Sequence, residues 1–118
     1  MILVDTSIWV GHLRKGNSRL VTLLEDMEVL THPFVLGEIA LGHAGQRHDT
    51  LDLLGHLPSA AVATYDEVLS MIDSRHLGGS GVGWVDAHLL ASALLSDAPL
   101  WSLDRKLAAA AKLLDLAP

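Results

Sequence analysis

The chain has 118 residues, of which 50% are hydrophobic and 19% are charged, the composition of an ordered globular protein with room for one domain, residues 1–118. Its 8 basic and 14 acidic side chains give a formal net charge of -6, which disfavours long-range attraction to a polyanion. The absence of cysteine excludes disulfides and thiolate metal sites, and without a basic leader or an apolar stretch near the ~20 residues that span a bilayer, we expect a cytoplasmic protein with no membrane partner.

Short β-like runs alternate with helical patterns along the chain, which favours strand–helix–strand units on a mostly parallel sheet. The apolar run that ends in Asp5 predicts the first strand, and the hydroxyls of Thr6 and Ser7 suit the start of the helix that follows. Pro33 suits the first position of another helix. Further strands are predicted at 29–31, 61–63 and 99–103, and further helices at 18–26, 33–44, 47–55, 65–76, 84–96 and 104–114.

Helical spacing divides the acidic side chains into two groups. Asp86 shares a helix face with Leu90, Glu38 aligns with Val35, and Asp104 begins its helix on the apolar stripe, so these three acids are predicted to face inward. In the helices at 18–26 and 65–76, the predicted inward residues are Leu20, Val21, Leu23, Leu24, Val68, Leu69 and Ile72. The acids predicted to lie on ordinary surface are Glu25, Asp26, Glu28, Asp49, Asp52, Asp66, Glu67, Asp73, Asp97 and Asp115.

Four carboxylates are expected to meet at one edge of the sheet. Asp5 and Asp104 follow apolar strands, and the carboxyl ends of strands are where open α/β sheets bind ligands. Glu38 and Asp86 come from helices expected at that same edge. Since no lysine or arginine precedes them at helical pairing distance, a small site holding a divalent cation is the natural compensator, and oxygen ligands without cysteine select Mg²⁺ or Mn²⁺.

Each acid taken alone has a simpler explanation. Asp5 and Asp104 are suited to be N-caps, and Asp86 in a first helical turn favours the helix dipole. The prediction of a metal site therefore depends on the four occurring together.

Four segments resemble the motifs of PIN-domain nucleases, and more closely those of the VapC-type toxins of bacterial toxin–antitoxin pairs. They are residues 4–7, 34–39, 84–91 and 102–107, and the similarity to the family extends over essentially the whole chain. The last segment ends in Leu107, where the family usually has an aromatic residue, a departure that concerns local packing.

The resemblance implies a three-layer α/β/α sandwich with a central, mostly parallel sheet. It also implies a Mg²⁺-dependent endoribonuclease that hydrolyses RNA phosphodiester bonds with a metal-activated water and acts as the toxin of a type II pair. A homodimer and a small cognate antitoxin, whose tail occupies the acidic groove, belong to the same expectation.

The resemblance places Asp5, Glu38, Asp86 and Asp104 in the family's acidic quartet, as catalytic residues and metal ligands. We expect Asp5 and Asp86 to bind one ion directly, and the other two acids to hold its waters or help to bind a second ion. The hydroxyls expected to support them are those of Thr6, Ser7 and Ser102.

The basic side chains Arg14, Lys15, Arg105 and Lys106 are candidates for contacts with RNA phosphates, although a solvated helix face explains each of them as well.

The glycine-rich stretch at 78–83 lacks the Lys-Ser/Thr of a P-loop, so it is either a plain turn or a flexible segment that gates RNA beside the site. Tryptophans such as Trp9, Trp84 and Trp101 are more often core anchors than platforms for base stacking, and Trp84, beside the glycine-rich stretch, is the one considered for RNA.

Other classes of protein remain open at this point. The seven histidines include no pair at helical spacing, so a zinc site is not predicted. A haloacid-dehalogenase-like phosphatase needs a second aspartate two positions after Asp5, where this chain has Ser7. The remaining alternatives are a PIN-fold binding module whose acidic pocket receives a basic partner segment, and a housekeeping RNA-processing nuclease without a toxin role.

Overall fold

A computed structural model describes residues 1–42 and 47–118. Within these ranges the chain forms three short strands and seven helices. In chain order they are β1 (Ile2–Val4), α1 (Thr6–Lys15), α2 (Ser18–Glu25), β2 (Val29–Leu30), α3 (Pro33–Leu41), α4 (Arg47–Gly55), α5 (Tyr65–Ser74), α6 (Trp84–Leu95), β3 (Leu100–Trp101) and α7 (Arg105–Leu113). None of the helices in this part of the chain is long and apolar enough to cross a bilayer.

The strands form one parallel sheet in the order β2-β1-β3, so the expected α/β sandwich with a parallel sheet is confirmed. The middle strand is β1, where Leu3 and Val4 are completely buried. Because the chain leaves β1 toward one side of the sheet and returns on the other, the carboxyl ends of β1 and β3 are the place where an open α/β sheet binds ligands. Asp5 lies at this point, and its backbone N–H donates to the carbonyl oxygen of Trp101 over 2.9 Å.

The prediction of a strand at 61–63 is wrong, because these residues belong to no strand. Two of its backbone N–H groups donate to the hydroxyls of Ser92 in α6 and of Ser96, which caps the end of α6, instead of to a neighbouring strand. Ala61 N bonds Ser96 Oγ at 2.9 Å, and Ala63 N lies 3.4 Å from Ser92 Oγ. These two serine side chains therefore satisfy backbone groups that a strand would have offered to a sheet.

Several predicted boundaries shift by one or more residues. The helices predicted at 18–26, 65–76, 84–96 and 104–114 each end one or two residues earlier, whereas 47–55 agrees with α4. The helix predicted to reach 44 ends at Leu41, and residues 43 and 44 lie outside the described ranges. Pro33 is the first residue of α3 as predicted, but the N-cap of α1 is Asp5 and not Thr6 or Ser7.

The core is aliphatic, as predicted, but two helices present a different face to it. Val21 and Leu69 were expected inside, yet 39% and 42% of their surfaces are exposed. In α5 the buried pair is Val68 and Met71, three residues apart, because the helix is turned so that the i and i+3 positions face the core. In α2 the fully buried residue is Leu20, and Val21 follows it one helical step around the axis.

A buried histidine joins α3 to α6. The ring of His32, the N-cap of α3, accepts a hydrogen bond at Nδ1 from the backbone N–H of Phe34, so its Nε2–H donates to Ser92 Oγ; both distances are 3.0 Å. Burial, and then the nearby His88, lower the pKa of His32 from 6.5 to about 4. The ring is therefore neutral at neutral pH and acts as a structural link.

We expect the Ser92→Ala variant to lose about 1–3 kcal/mol of unfolding free energy, because the Nε2–H of His32 would be buried without an acceptor. Urea denaturation measures this change. Ser70→Ala, on the exposed side of α5, is the control and should stay within about 0.5 kcal/mol of the unmodified protein. Equal stabilities of the two variants would contradict the structural role of the bond.

Candidate active site

Asp5 is the most enclosed of the four acids, with 6% of its surface exposed. Its Oδ2 accepts hydrogen bonds of 2.7 Å from both Ser7 Oγ and Ser102 Oγ, and the backbone N–H of Ser7 lies 3.4 Å from the same atom. No donor among the described residues bonds its Oδ1. Asp5 is thus the N-cap of α1 through Oδ2, and its Oδ1 has no donor in the described part of the chain. A capping role and a role as metal ligand are therefore compatible for this residue.

The hydroxyls of Ser7 and Ser102 tie the end of β1 to the turn between β3 and α7. Ser7 Oγ accepts from the backbone N–H of Leu103 at 2.9 Å, and Ser102 Oγ accepts from the backbone N–H of Asp104 at 3.0 Å. Because both hydroxyls also donate to Asp5, they hold the two acid-bearing segments in one arrangement. The structure therefore places two of the three predicted supporting hydroxyls, those of Ser7 and Ser102, in direct contact with Asp5.

Glu38 does not face the core, so this part of the prediction is wrong. In α3 the buried residues are Val35 and Ile39, and Glu38 precedes the second of them on the exposed rim of the helix. Its Oε1 accepts a hydrogen bond of 2.9 Å from the hydroxyl of Thr6, in the first turn of α1. This bond brings Glu38 to the end of β1, as expected, although the side chain reaches that place from the solvent side.

Asp104 is also exposed and not inward-facing. It is the N-cap of α7, and its Oδ1 accepts from the backbone N–H of Leu107 at 2.9 Å. A capping residue has extended backbone angles, so the helical alignment of Asp104 with Leu107 does not apply to it. The side chain remains at the carboxyl end of β3, directly after Ser102.

The raised pKa of Asp86 indicates that the four acids share one region. Asp86 lies half-buried in the first turn of α6, and its pKa is raised from 3.8 to about 6. Burial is the largest cause, followed by the negative charges of Asp5, Asp104 and Glu38. Coulomb repulsion weakens with distance and with solvent, so these three charges must lie near enough to act on the same carboxyl. We call the four residues the acidic edge.

The acidic edge is open and does not form a closed cage. Across residues 1–42 and 47–118, no three carboxylate or imidazole side chains converge closely enough to surround a metal ion by themselves. The one ion pair in those ranges joins the amino group of Met1 to Glu28 at 2.8 Å, so no basic side chain described neutralises the acidic edge. Mg²⁺ commonly keeps several waters and takes one or two carboxylates, and this arrangement of oxygen donors fits it.

The candidate RNA-binding cations lie in two places. Arg105 and Lys106 occupy the first turn of α7, directly after Asp104. Arg14 and Lys15 lie at the far end of α1, about 14 Å along the helix axis from Asp5 at 1.5 Å per residue. All four side chains are exposed, but only the pair on α7 adjoins the acidic edge.

The glycine-rich stretch at 78–83 lines a mostly apolar cleft of about 220 Å³. Ile72, Trp84 and Ala87 are also in its wall, and it contains none of the four acids. Trp84, the one tryptophan considered for RNA, is 43% exposed and does not anchor the core. Trp9 is buried, whereas Trp101 is half-buried and lies 4.5 Å below the guanidinium of Arg19.

A row of aromatic rings, which the sequence did not predict, runs from this tryptophan toward the core. Ring centroids are 5.5 Å apart for Tyr65 and Trp84, 4.8 Å for Trp84 and His88, and 4.8 Å for His88 and Phe34. Only the second pair has a sequence signal, because its members are four residues apart on α6. His88 lies in this row, two residues after Asp86 and therefore on a different face of α6.

Comparisons with known proteins agree with the geometry. The PIN domain family matches residues 2–113. Ribonuclease VapC32 of Mycobacterium tuberculosis strain CDC 1551 / Oshkosh is 52% identical over 111 residues, which cover 93% of this chain and 90% of the relative. The protein of the same name in strain ATCC 25618 / H37Rv has the same identity and coverage. This chain therefore belongs to the PIN-domain family and, within it, to the VapC group.

Proposed function

We propose that this chain is a divalent-metal-dependent endoribonuclease and the toxin of a type II toxin–antitoxin pair. Its relatives carry the name ribonuclease and match over almost their whole length. The observation that supports a metal site most strongly is the raised pKa of Asp86, because three further carboxylates act on it and no described basic residue compensates them. Residues 1–118 act as a single domain.

Oxygen donors of this kind suit Mg²⁺ or Mn²⁺. Asp5, through its unbonded Oδ1, and Asp86 are the direct ligands, while Glu38 and Asp104 hold water molecules or assist a second ion. When bound, the cation supplies a water of lowered pKa and neutralises charge on the scissile phosphate.

The hydroxyl groups keep the carboxylates in position. Since Ser7 and Ser102 both donate to Oδ2 of Asp5, they fix the direction of its other oxygen. Thr6 holds Glu38 in the same way at the solvent side. In-line attack by water on the phosphorus breaks its bond to O3′ and leaves a 5′-phosphate and a 3′-hydroxyl. End-labelling of the products identifies these groups.

Incubation of the purified protein with total RNA tests this function. We expect cleavage with Mg²⁺, none with EDTA, and recovery when excess Mg²⁺ or Mn²⁺ is restored. RNA binding without metal-stimulated cleavage would favour the binding module. Cleavage without growth arrest on induced expression would favour a housekeeping nuclease instead of a toxin.

We further propose a cytoplasmic homodimer that is neutralised by a small antitoxin, whose basic tail enters the acidic edge. Apolar side chains are exposed on α5, on α6 and on the segment before α5, and they suit self-association. They are Val62, Tyr65, Leu69, Trp84 and Leu95. Light scattering of the purified chain measures the oligomeric state.

A further inference from the structure

The side chain of Lys106 lies against the backbone of Gly81. A Cβ placed on this glycine would come within 3.0 Å of Lys106 Cδ, 3.1 Å of Nζ and 3.2 Å of Cε. These distances are tighter than nine in ten real Cβ contacts, so a side chain at position 81 would push the flexible end of Lys106 away by a few tenths of an ångström. The first turn of α7 and the glycine-rich stretch therefore meet at this contact.

The ammonium group of Lys106 has no acidic partner in the described part of the chain. It follows Asp104 by two residues and adjoins the acidic edge, yet no described carboxylate lies within 4.0 Å of its nitrogen. A lysine in such surroundings would ordinarily be drawn toward a carboxylate. Because Lys106 instead rests on an uncharged glycine, its positive charge is available to an anion.

We propose that Lys106, held on Gly81, is a positioning residue that contacts an RNA phosphate beside the scissile one. This inference rests on the proposed ribonuclease function. The chain carries a net charge of -6, so local cations next to the acidic edge have to guide the polyanionic strand. A lysine restrained by packing loses less conformational freedom on binding than one that moves freely in solvent.

Two glycines of the same loop provide a matched pair of variants. Gly79 and Gly81 both have positive φ angles, +77° and +85°, so an alanine at either position brings the same kind of backbone strain. A Cβ at Gly79 meets nothing within 4 Å, whereas one at Gly81 displaces the flexible end of Lys106. The difference in the KM for RNA between Gly81→Ala and Gly79→Ala therefore reports the effect of displacing the lysine.

We expect Gly81→Ala to raise the KM for RNA by about 3- to 10-fold relative to Gly79→Ala, with kcat changed by less than about 2-fold. Lys106→Gln should raise KM by at least as much, and Lys106→Arg should restore most of the affinity because it keeps the charge. In a protein that already carries Lys106→Gln, the lysine is absent. Gly81→Ala and Gly79→Ala should therefore change KM by the same amount in that protein.

A second readout does not require cleavage. Binding of a labelled single-stranded RNA, followed by fluorescence anisotropy in EDTA at several salt concentrations, gives the number of phosphate contacts. The slope of log K against log salt is negative, and the loss of one contact decreases its magnitude by about 0.7. We expect this decrease for Lys106→Gln and for Gly81→Ala, but not for Gly79→Ala.

The outcomes separate this proposal from the proposed function. Metal-dependent cleavage with an unchanged KM in Lys106→Gln would overturn the role of Lys106 and leave the nuclease intact. Equal effects of Gly81→Ala and Gly79→Ala would assign the loss to the loop backbone and overturn the role of Gly81. Absence of cleavage in the unmodified protein would reject the nuclease itself, and an unchanged salt slope in Lys106→Gln would then also reject the phosphate contact.

Discussion

Replacing Asp5 with asparagine is expected to lower metal-dependent RNA cleavage by at least about 100-fold without unfolding the protein. The amide oxygen of asparagine can accept the hydrogen bonds that Ser7 and Ser102 donate to Oδ2 of the aspartate. Its amide nitrogen would occupy the place of Oδ1, where it carries protons and cannot bind a cation. The variant therefore keeps the helix cap and loses the ligand.

Single-turnover cleavage in Mg²⁺ measures this loss, and circular dichroism with urea denaturation shows whether the fold is retained. Asp66→Asn is the matched control, because this acid lies exposed in the first turn of α5, which is part of the predicted ordinary surface. A folded Asp5→Asn variant with full activity would refute the metal site at Asp5.

The Asp86→Asn variant is expected to be inactive and yet more stable than the unmodified protein when no metal is present. Burial and the three neighbouring acids raise the pKa of Asp86 from 3.8 to about 6, so its ionised form is disfavoured in the folded state. The resulting loss of stability is fully present above pH 6, decreases as the pH falls through 6, and disappears below the unfolded value near 3.8. After allowance for solvent screening, this loss is about 1–2 kcal/mol.

Urea denaturation in EDTA at neutral and at mildly acidic pH tests this prediction. The advantage of Asp86→Asn should be largest at neutral pH and should shrink toward about pH 4. Mg²⁺ should stabilise the unmodified protein and should have little effect on the variant, since an ion that binds only the folded state shifts the equilibrium by mass action. Lower stability of Asp86→Asn at neutral pH in EDTA would contradict the repulsion at the acidic edge.

Both predictions depend on the uncompensated negative charges of the acidic edge. The acidic edge places like charges together, and the helix caps and serine hydroxyls that hold Asp5 and Asp104 do not neutralise them. Stability that is lost at a binding site and regained with the ligand is common in enzymes. An increase in stability on addition of Mg²⁺ is therefore expected even without RNA.

Much of the candidate site could be predicted from local patterns. Asp5 and Asp104 follow short apolar runs, and Asp86 lies in the first turn of a strongly apolar helix, so their places on strand ends and helix starts follow from punctuation and periodicity. The three acids that raise the pKa of Asp86 are all among those predicted for the site.

The predictions that failed depended on how elements pack. Val21 and Leu69 are exposed because the rotation of a short helix follows from its neighbours and not from its own apolar count. The segment at 61–63 has strand-like residues, but two serines, one in α6 and one at its end, bind its backbone, and this pairing has no signal in the segment itself. Glu38 reaches the site from the exposed rim of α3 for the same kind of reason.

The amino-acid sequence by itself determined which side chains carry charge and on which elements they lie, because caps, strand ends and helical periods depend on residues only a few positions apart. Only the tertiary structure decided that Ser102 bonds Asp5, which is 97 positions away, and that Lys106 lies against Gly81. It also decided that the charges of three other acids raise the pKa of Asp86. These contacts arise from the parallel pairing of β1 with β3 and from the packing of α6 and α7 against β3, and a contact between distant residues exists only once the chain has folded.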